Sequence, residues 1–287
     1  MERIGDAFNE QHDGVAVASA LEADGSWCME LHFSEPPDEQ RMRALVAGIA
    51  GKDAAGRMRF ERLAPTDWVG KSLAGLRPVP AGRFIVHGSH DRAGIPGNRV
   101  GIEIEASLAF GTGHHASTQG CLLAIDVLTK QLERKRSQAR VLDIGTGSGV
   151  LAIAAAKALR CRVLASDIEQ RSAAVARANA RLNGVARFVT VLHAGGVRAR
   201  AFRARAPYQL IVANILLQPL RDMATGLAQL AAPNAHIVIS GLLTTQAPVA
   251  LASYRARGLV LARRITLGGW STLVLQRRRA ARSLPDK

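Results

Sequence analysis

Apolar positions along this chain recur with two different periods, and the change from one to the other marks its elements. From Arg140 onward the change is regular. Short apolar runs predict strands at 140–144, 162–167, 187–192, 208–213 and 235–240. Helical spacing fills 149–159, 170–183, 217–231 and 244–257. Asn183-Gly184 stops the second of these helices, and Pro219 lies in the first turn of the third, where it is tolerated. Two last strands, 259–266 and 270–277, read as an antiparallel pair joined by Gly268-Gly269. Strands alternating with helices imply an α/β fold with a doubly wound, mostly parallel sheet, here of seven strands.

The first part of the chain is patterned differently. Residues 14–22 and 27–33 read as a hairpin around Asp24-Gly25. Pro36-Pro37 opens a helix over 38–50, with Met42, Leu45, Val46 and Ile49 on one face. Another short strand is predicted near Met58–Leu63. These elements describe a small α+β domain over 1–63, shortened but ferredoxin-like. A connecting segment over 64–100 holds Pro65, Pro78, Pro80 and Pro96 and six glycines from Gly70 to Gly97. Strands are predicted at 82–87 and 100–105, the second opening the main domain, 101–287. Leu108-Ala-Phe-Gly-Thr-Gly-His-His-Ala-Ser-Thr118 is a loop dense in glycine and hydroxyls that feeds a helix from Ser117 to Arg134.

The stretch that carries chemistry is Val141-Leu-Asp-Ile-Gly-Thr-Gly-Ser-Gly-Val150. A strand ends in Asp143, three alternate glycines follow, and a helix begins. Without Cβ atoms such a turn lets backbone approach a ligand, and the helix start aims N–H groups at an anion. By itself the turn is as well explained by helix-on-sheet packing. The spacing G-x-G-x-G is not the G-x-G-x-x-G of dinucleotide sites and points to a ligand with a single carboxylate. A second apolar run ends in Asp167, about 20 residues on, where nucleotide-binding α/β folds hold a ribose.

Charge divides the chain. Residues 1–40 hold ten acids and one base, a net −9, against a formal charge of +15 for the whole. Two solvated surfaces of opposite sign would satisfy this. So would a basic body near nucleic acid, or an acidic front that attracts a basic protein. Cys28, Cys121 and Cys161 are scattered and suit reduced thiols rather than a zinc site or a disulfide framework. The N-terminus lacks the basic and apolar segments of a signal peptide, and no apolar run is long enough to span a membrane, so a cytoplasmic protein is expected.

The order of G-x-G-x-G, an acid ending the second strand, Asn214 ending the fourth and a terminal hairpin resembles the class I S-adenosylmethionine-dependent methyltransferases, whose sheet is Rossmann-like. Within that class four segments resemble the ribosomal protein L-eleven methyltransferase (PrmA) family. They are the loop 108–118, Leu142–Ala154, Ile211-Val-Ala-Asn-Ile-Leu216 with Pro219-Leu220, and Ser240-Gly-Leu-Leu-Thr-Thr-Gln246. The resemblance implies S-adenosylmethionine as methyl donor, no metal, and a basic ribosomal protein as acceptor, at its N-terminal α-amine and lysine ε-amines. It implies close backbone approach at Gly145 and Gly147, Asp143 near the donor's amino group through water, and Asp167 on the ribose hydroxyls. Thr118 and the loop Phe110, Gly111, Thr112 and Gly113 would close over the donor, and Asn214 would position the amine without a strong general base.

Asn-Ile-Leu-Leu after that strand, in place of Asn-Pro-Pro-Tyr, argues against N6-adenine and glutamine chemistry. His115 matches a family histidine that orders the loop, while His114, Ala116 and Ser117 depart from the family's pattern. Alternative acceptors are RNA or the lysines of another protein. Arg277-Arg-Arg279 and Arg282 read either as a solvated tail or as an RNA contact, with ribosomal RNA as a nearby partner. The lack of interleaved aromatics speaks against RNA as acceptor. A donor-binding fold without catalysis is the non-enzymatic reading, against which the intact donor motifs count.

Overall fold

A computed structural model describes residues 16–21 and 27–32 by their backbone, and 37–60, 78–104, 115–132 and 139–277 in full apart from the side chain of Ile49. The chain forms two compact units, Met1–Thr66 and Asp67–Lys287.

In the first unit, β1 (Ala16–Leu21) and β2 (Trp27–His32) pair antiparallel, Ala16 opposite His32 and Leu21 opposite Trp27. α1 (Glu39–Ala50) starts where the Asp38 carboxylate accepts the Arg41 N–H at 3.1 Å, and it ends at Gly51, φ +89°. A short α2 (Lys52–Gly56) follows. Met42 and Val46 are buried against Ala55, with Met58 and Phe60 packed beside them. The strand expected near Met58–Leu63 does not form over Met58–Phe60, and its last three residues lie outside the described ones. Arg43 accounts for this: its guanidinium donates to the carbonyls of Ala55 and Met58 and stacks over Phe60, so this backbone serves the helix pair rather than a ladder.

The second unit begins, in the described residues, with β3 (Val79–Ala81), β4 (Phe84–His87), a 3₁₀ turn (Ser89–Gly94) and β5 (Val100–Glu103). β4 lies between an antiparallel β3 and a parallel β5. From Pro78 on, the expected connection over 64–100 is therefore structured. Phe84, Val86 and Ile102 enter the same buried cluster as Leu122 and Ile125 of α3 (Ala116–Leu132), which ties it to the large unit.

The large sheet then forms in sequence. It takes β6 (Arg140–Ile144), β7 (Arg162–Asp167), β8 (Val189–His193), β9 (Tyr208–Asn214), β10 (Ala231–Leu243), β11 (Leu259–Leu267) and β12 (Trp270–Arg277). Between them run α4 (Val150–Leu159), α5 (Gln170–Leu182), a short α6 (Arg200–Ala204), α7 (Leu217–Leu230) and α8 (Ala247–Arg255). α8 is shorter than expected because Thr244 is drawn to the Gly269 carbonyl by both its N–H and its hydroxyl. The strand order is β11-β12-β10-β9-β6-β7-β8, with β12 alone antiparallel to its neighbours.

Alternation along the strands builds two cores. Val141, Val163 and Val212 face the layer of α3, α4 and α5, while Leu142, Leu164 and Ile211 face that of α7 and α8. A parallel strand apolar on both faces is what a doubly wound sheet requires. The chain leaves β6 for β7 and β8 on one side, then returns to β9 on the other. That reversal opens a crevice at the C-terminal ends of β6 and β9, the ligand position of such sheets. No helix among the described residues is long and apolar enough to cross a membrane.

Candidate active site

Strand ends and one helix start bring polar groups to this crevice. β6 ends at Asp143 and Ile144, and Gly145, Gly147 and Gly149 follow at φ +68°, +54° and +86°. All three are left-handed, a conformation glycine takes without steric cost. Space decides as well: a Cβ on Gly145 would run into the Ile215 side chain. The turn is pinned to the next strand, since the Gly145 and Thr146 N–H groups donate to the Ser166 carbonyl at 2.9 and 3.0 Å.

Asp143 is buried. Its Oδ2 accepts from the Thr146 hydroxyl at 2.6 Å and the Ala152 N–H at 3.1 Å, while its Oδ1 has no partner. Burial pushes this carboxyl up to about 6, against those two hydrogen bonds, which favour the charged form. Asp167 ends β7. Its Oδ2 accepts the Gly147 N–H at 2.8 Å and its Oδ1 accepts the Glu169 N–H at 3.0 Å. Each oxygen keeps further acceptor capacity for a ligand hydroxyl.

Asn214 ends β9. Its amide donates to the buried Thr118 hydroxyl at 3.2 Å, which directs the carbonyl oxygen the other way. That Oδ1 is buried and has no partner. Two unsatisfied buried acceptors, Asp143 Oδ1 and Asn214 Oδ1, thus belong to residues that end adjacent strands. Buried acceptors without donors are costly, and a ligand rich in N–H groups is a physical answer to both.

The start of α3 is fastened to the far side of the crevice. His115 sets its ring edge-on to Trp270 at 4.3 Å, and its Nδ1 lies 2.7 Å from the Ser117 hydroxyl. Burial lowers the affinity of this imidazole for a proton, so it stays neutral and orders the helix start. The Ser240 hydroxyl lies 3.3 Å from the Ser117 carbonyl it donates to and 2.7 Å from the Thr272 hydroxyl. Phe110, Gly111, Thr112, Gly113 and His114 lie outside the described residues.

Three features were not singled out from sequence. Gly241 has φ +81°, and a Cβ there would come closer than 3.0 Å to the Ile215 carbonyl. Its role is to let β10 close on the backbone just after Asn214. Gly241→Ala is expected to lower stability by about 1–3 kcal/mol through strain and contact. A urea midpoint equal to that of the wild type would show that Ile215 yields instead. The other two are exposed apolar side chains just past site residues, Ile168 (74% exposed) directly after Asp167 and Leu216 (72%) two positions after Asn214. Large apolar groups at a crevice rim mark surface that a ligand covers. Their sequence signal was an apolar residue continuing past a strand's terminal polar one.

Comparison with known proteins bears on the same residues. A family model described as ribosomal protein L11 methyltransferase (PrmA) matches residues 7–278. A ribosomal protein L11 methyltransferase of Rhodopseudomonas palustris is 54% identical over 275 residues, covering 95% of this chain and 92% of its own length. One from Bradyrhizobium diazoefficiens is 49% identical, covering 96% and 92%. Among solved structures, a ribosomal protein L11 methylase from Lactobacillus delbrueckii subsp. bulgaricus superposes with a TM-score of 0.61 at 27% identity, covering 71% of this chain and 100% of that one.

Proposed function

The chain belongs to the ribosomal protein L11 methyltransferase (PrmA) family of S-adenosylmethionine-dependent enzymes, and from that premise we propose that it methylates ribosomal protein L11 at its N-terminal α-amine and at lysine ε-amines. The observation that carries the reading is the unpartnered Asn214 Oδ1, held by Thr118 at the switch point of the sheet.

The residues present fit S-adenosylmethionine. The glycine turn at Gly145 and Gly147 admits the methionine portion close to backbone. Asp143 Oδ1 would hold the donor's ammonium through water, and Asp167 would hold the ribose hydroxyls, with the exposed Ile168 beside them as apolar cover. When bound, the donor supplies a methyl group on a sulfonium, an electrophile that needs no further activation. What remains for the protein is alignment. Asn214 Oδ1 would accept one N–H of a neutral amine and so fix how its nitrogen lone pair is turned. A carbonyl holds an amine without raising its proton affinity, which a carboxylate would do. An N-terminal amine at about 7.7–8.0 is partly neutral near pH 7, whereas a lysine near about 10.4 must be desolvated first. The exposed Leu216 side chain offers apolar cover for that desolvation.

Asp143 gives this reading a pH dependence. Its carboxyl, raised to about 6 by burial, is protonated below that pH in the free protein. An ammonium ligand favours the carboxylate, so donor affinity should fall by up to about tenfold per pH unit below 6. Calorimetric titration from pH 5 to 7.5 reads this, and in Asp143→Asn the profile should be flat. A flat profile in the wild type would remove Asp143 from the donor site.

The acceptor is supported by the family and by the acidic residues 1–40, which attract a basic protein. The basic remainder of the chain supports ribosomal RNA as a nearby partner, and the proposed setting is the cytoplasm. The deciding experiment supplies labelled donor together with L11 or, separately, with ribosomal RNA, and locates the label by mass. Label on the L11 N-terminus and lysines is expected; label confined to RNA would overturn the reading.

A further inference from the structure

The end of the large sheet opposite the crevice carries a row of arginines that no part of the proposed chemistry uses. Arg140 and Arg162 are paired residues at the starts of β6 and β7. Arg160 caps the end of α4, two residues before β7 begins, and Arg187 precedes β8. Arg205 lies beside Arg140, whose guanidinium donates to the Arg205 and Ala206 carbonyls, and Arg257 precedes β11. All six are exposed. In the order of the sheet they run from β8 through β7, β6 and β9 to β11, its far edge. With strands about 4.8 Å apart, the first five span roughly 14 Å and Arg257 stands roughly 14 Å further on, past β10 and β12.

Helix dipoles explain part of the row, since Arg160, Arg205 and Arg257 sit just past helix C-termini. Arg140, Arg162 and Arg187 have no such reason. None of the six is ion-paired with a described carboxylate. Asp143, Asp167 and Glu169 lie at the opposite ends of β6 and β7, and Glu103 and Asp126 hold cations of their own. A row of one sign with no compensating acid among the described residues is the footprint of a polyanion.

The surroundings choose among polyanions. Single-stranded nucleic acid needs aromatic faces to stack on. Tyr208 and Tyr254, which start β9 and end α8's buried face, are fully buried, and Phe188 is covered by the Arg187 guanidinium at 4.7 Å. A membrane surface needs apolar side chains to insert, and of the five exposed large apolar residues only Leu182 is near this rim. A duplex phosphate backbone asks for neither and is recognised by charge and shape.

We propose that this arginine row is a docking surface for the phosphate backbone of double-stranded RNA, which holds the enzyme on a structured RNA with its crevice turned away. The choice of RNA rests on the reading of a ribosomal protein as substrate; the surface itself does not.

The test uses the full chain, without donor or protein substrate. Fluorescence anisotropy measures affinity for a labelled 20-base-pair RNA duplex, for one of its single strands, and for vesicles of anionic lipid. The duplex should bind tightest, and log K should fall with log salt by about 0.9 for each phosphate contact released. Arg162→Glu with Arg187→Glu should weaken duplex binding at least tenfold and leave methyl transfer to free L11 and the melting temperature unchanged. Arg162→Gln with Arg187→Gln should give a smaller loss of the same kind. The proposal is overturned if the duplex does not bind, if vesicles or the single strand bind more tightly, or if the charge reversal leaves affinity intact, which would move RNA contact to Arg277–Arg282. Binding and methyl transfer are read separately, so a failed substrate reading is told apart from a failed surface.

Discussion

Asp167→Ala is expected to weaken binding of S-adenosylmethionine by more than about a hundredfold. Hydrogen bonds to a charged group contribute about 1.5–3 kcal/mol each, and in the proposed site two ribose hydroxyls would meet this carboxylate, so a loss of about 3 kcal/mol or more is expected. The loss reaches beyond the ribose. Asp167 Oδ2 also fixes the Gly147 N–H and Oδ1 fixes the Glu169 N–H, so removing the side chain unpins the glycine turn and the start of α5 together. Asp167→Asn separates the two effects, because its amide keeps one acceptor and the shape but reverses the other hydrogen bond. It should lose affinity by about tenfold. Calorimetric titration of donor or of the demethylated product measures both. Affinity within threefold of the wild type in Asp167→Ala would place the ribose elsewhere.

Much of this site was legible because its residues are set by local chemistry. A glycine that must take positive φ, an acid at the end of a strand and an asparagine at the end of another each leave a mark within a few residues of sequence. A doubly wound, mostly parallel sheet followed from the alternation of elements, whereas its strand order and switch point came only with the structure. What stayed hidden depends on contacts between segments far apart in the chain. Gly241 matters because β10 closes on Ile215, and nothing near position 241 says so. β3 is three residues long and carries too little pattern to distinguish it from the proline-rich stretch around it. No strand forms over Met58–Phe60 because one guanidinium, Arg43, claims backbone groups that a ladder would need. The arginine row is the clearest case: Arg140, Arg162, Arg187, Arg205 and Arg257 are spread over more than a hundred residues and become one surface only through the order of the sheet.

Asn214→Ala is expected to lower kcat by about a hundredfold or more while leaving the dissociation constant of the donor within about threefold. The asymmetry follows from what each atom touches. Asn214 Nδ2 is spent on Thr118, and only Oδ1 is available to the amine. Removing it leaves the amine free to turn its lone pair away from the methyl carbon, a misplacement of about 1 Å or more that costs rate rather than binding. Asn214→Asp makes the argument sharper, since it keeps size and shape and changes charge. A carboxylate beside the amine favours its ammonium form, which has no lone pair to give. The Asp variant should therefore be as impaired as the Ala variant near neutral pH and recover as pH rises, because deprotonation of the amine is shifted upward rather than lost. The Ala variant should keep the pH profile of the wild type at a lower level. Single-turnover rates from pH 7 to 10 with saturating donor measure all three proteins. If Asn214→Ala retained a rate within fivefold of the wild type, or if the Asp variant failed to gain on it at high pH, the amine would be held by some other group and Asn214 would only brace the start of α3 through Thr118.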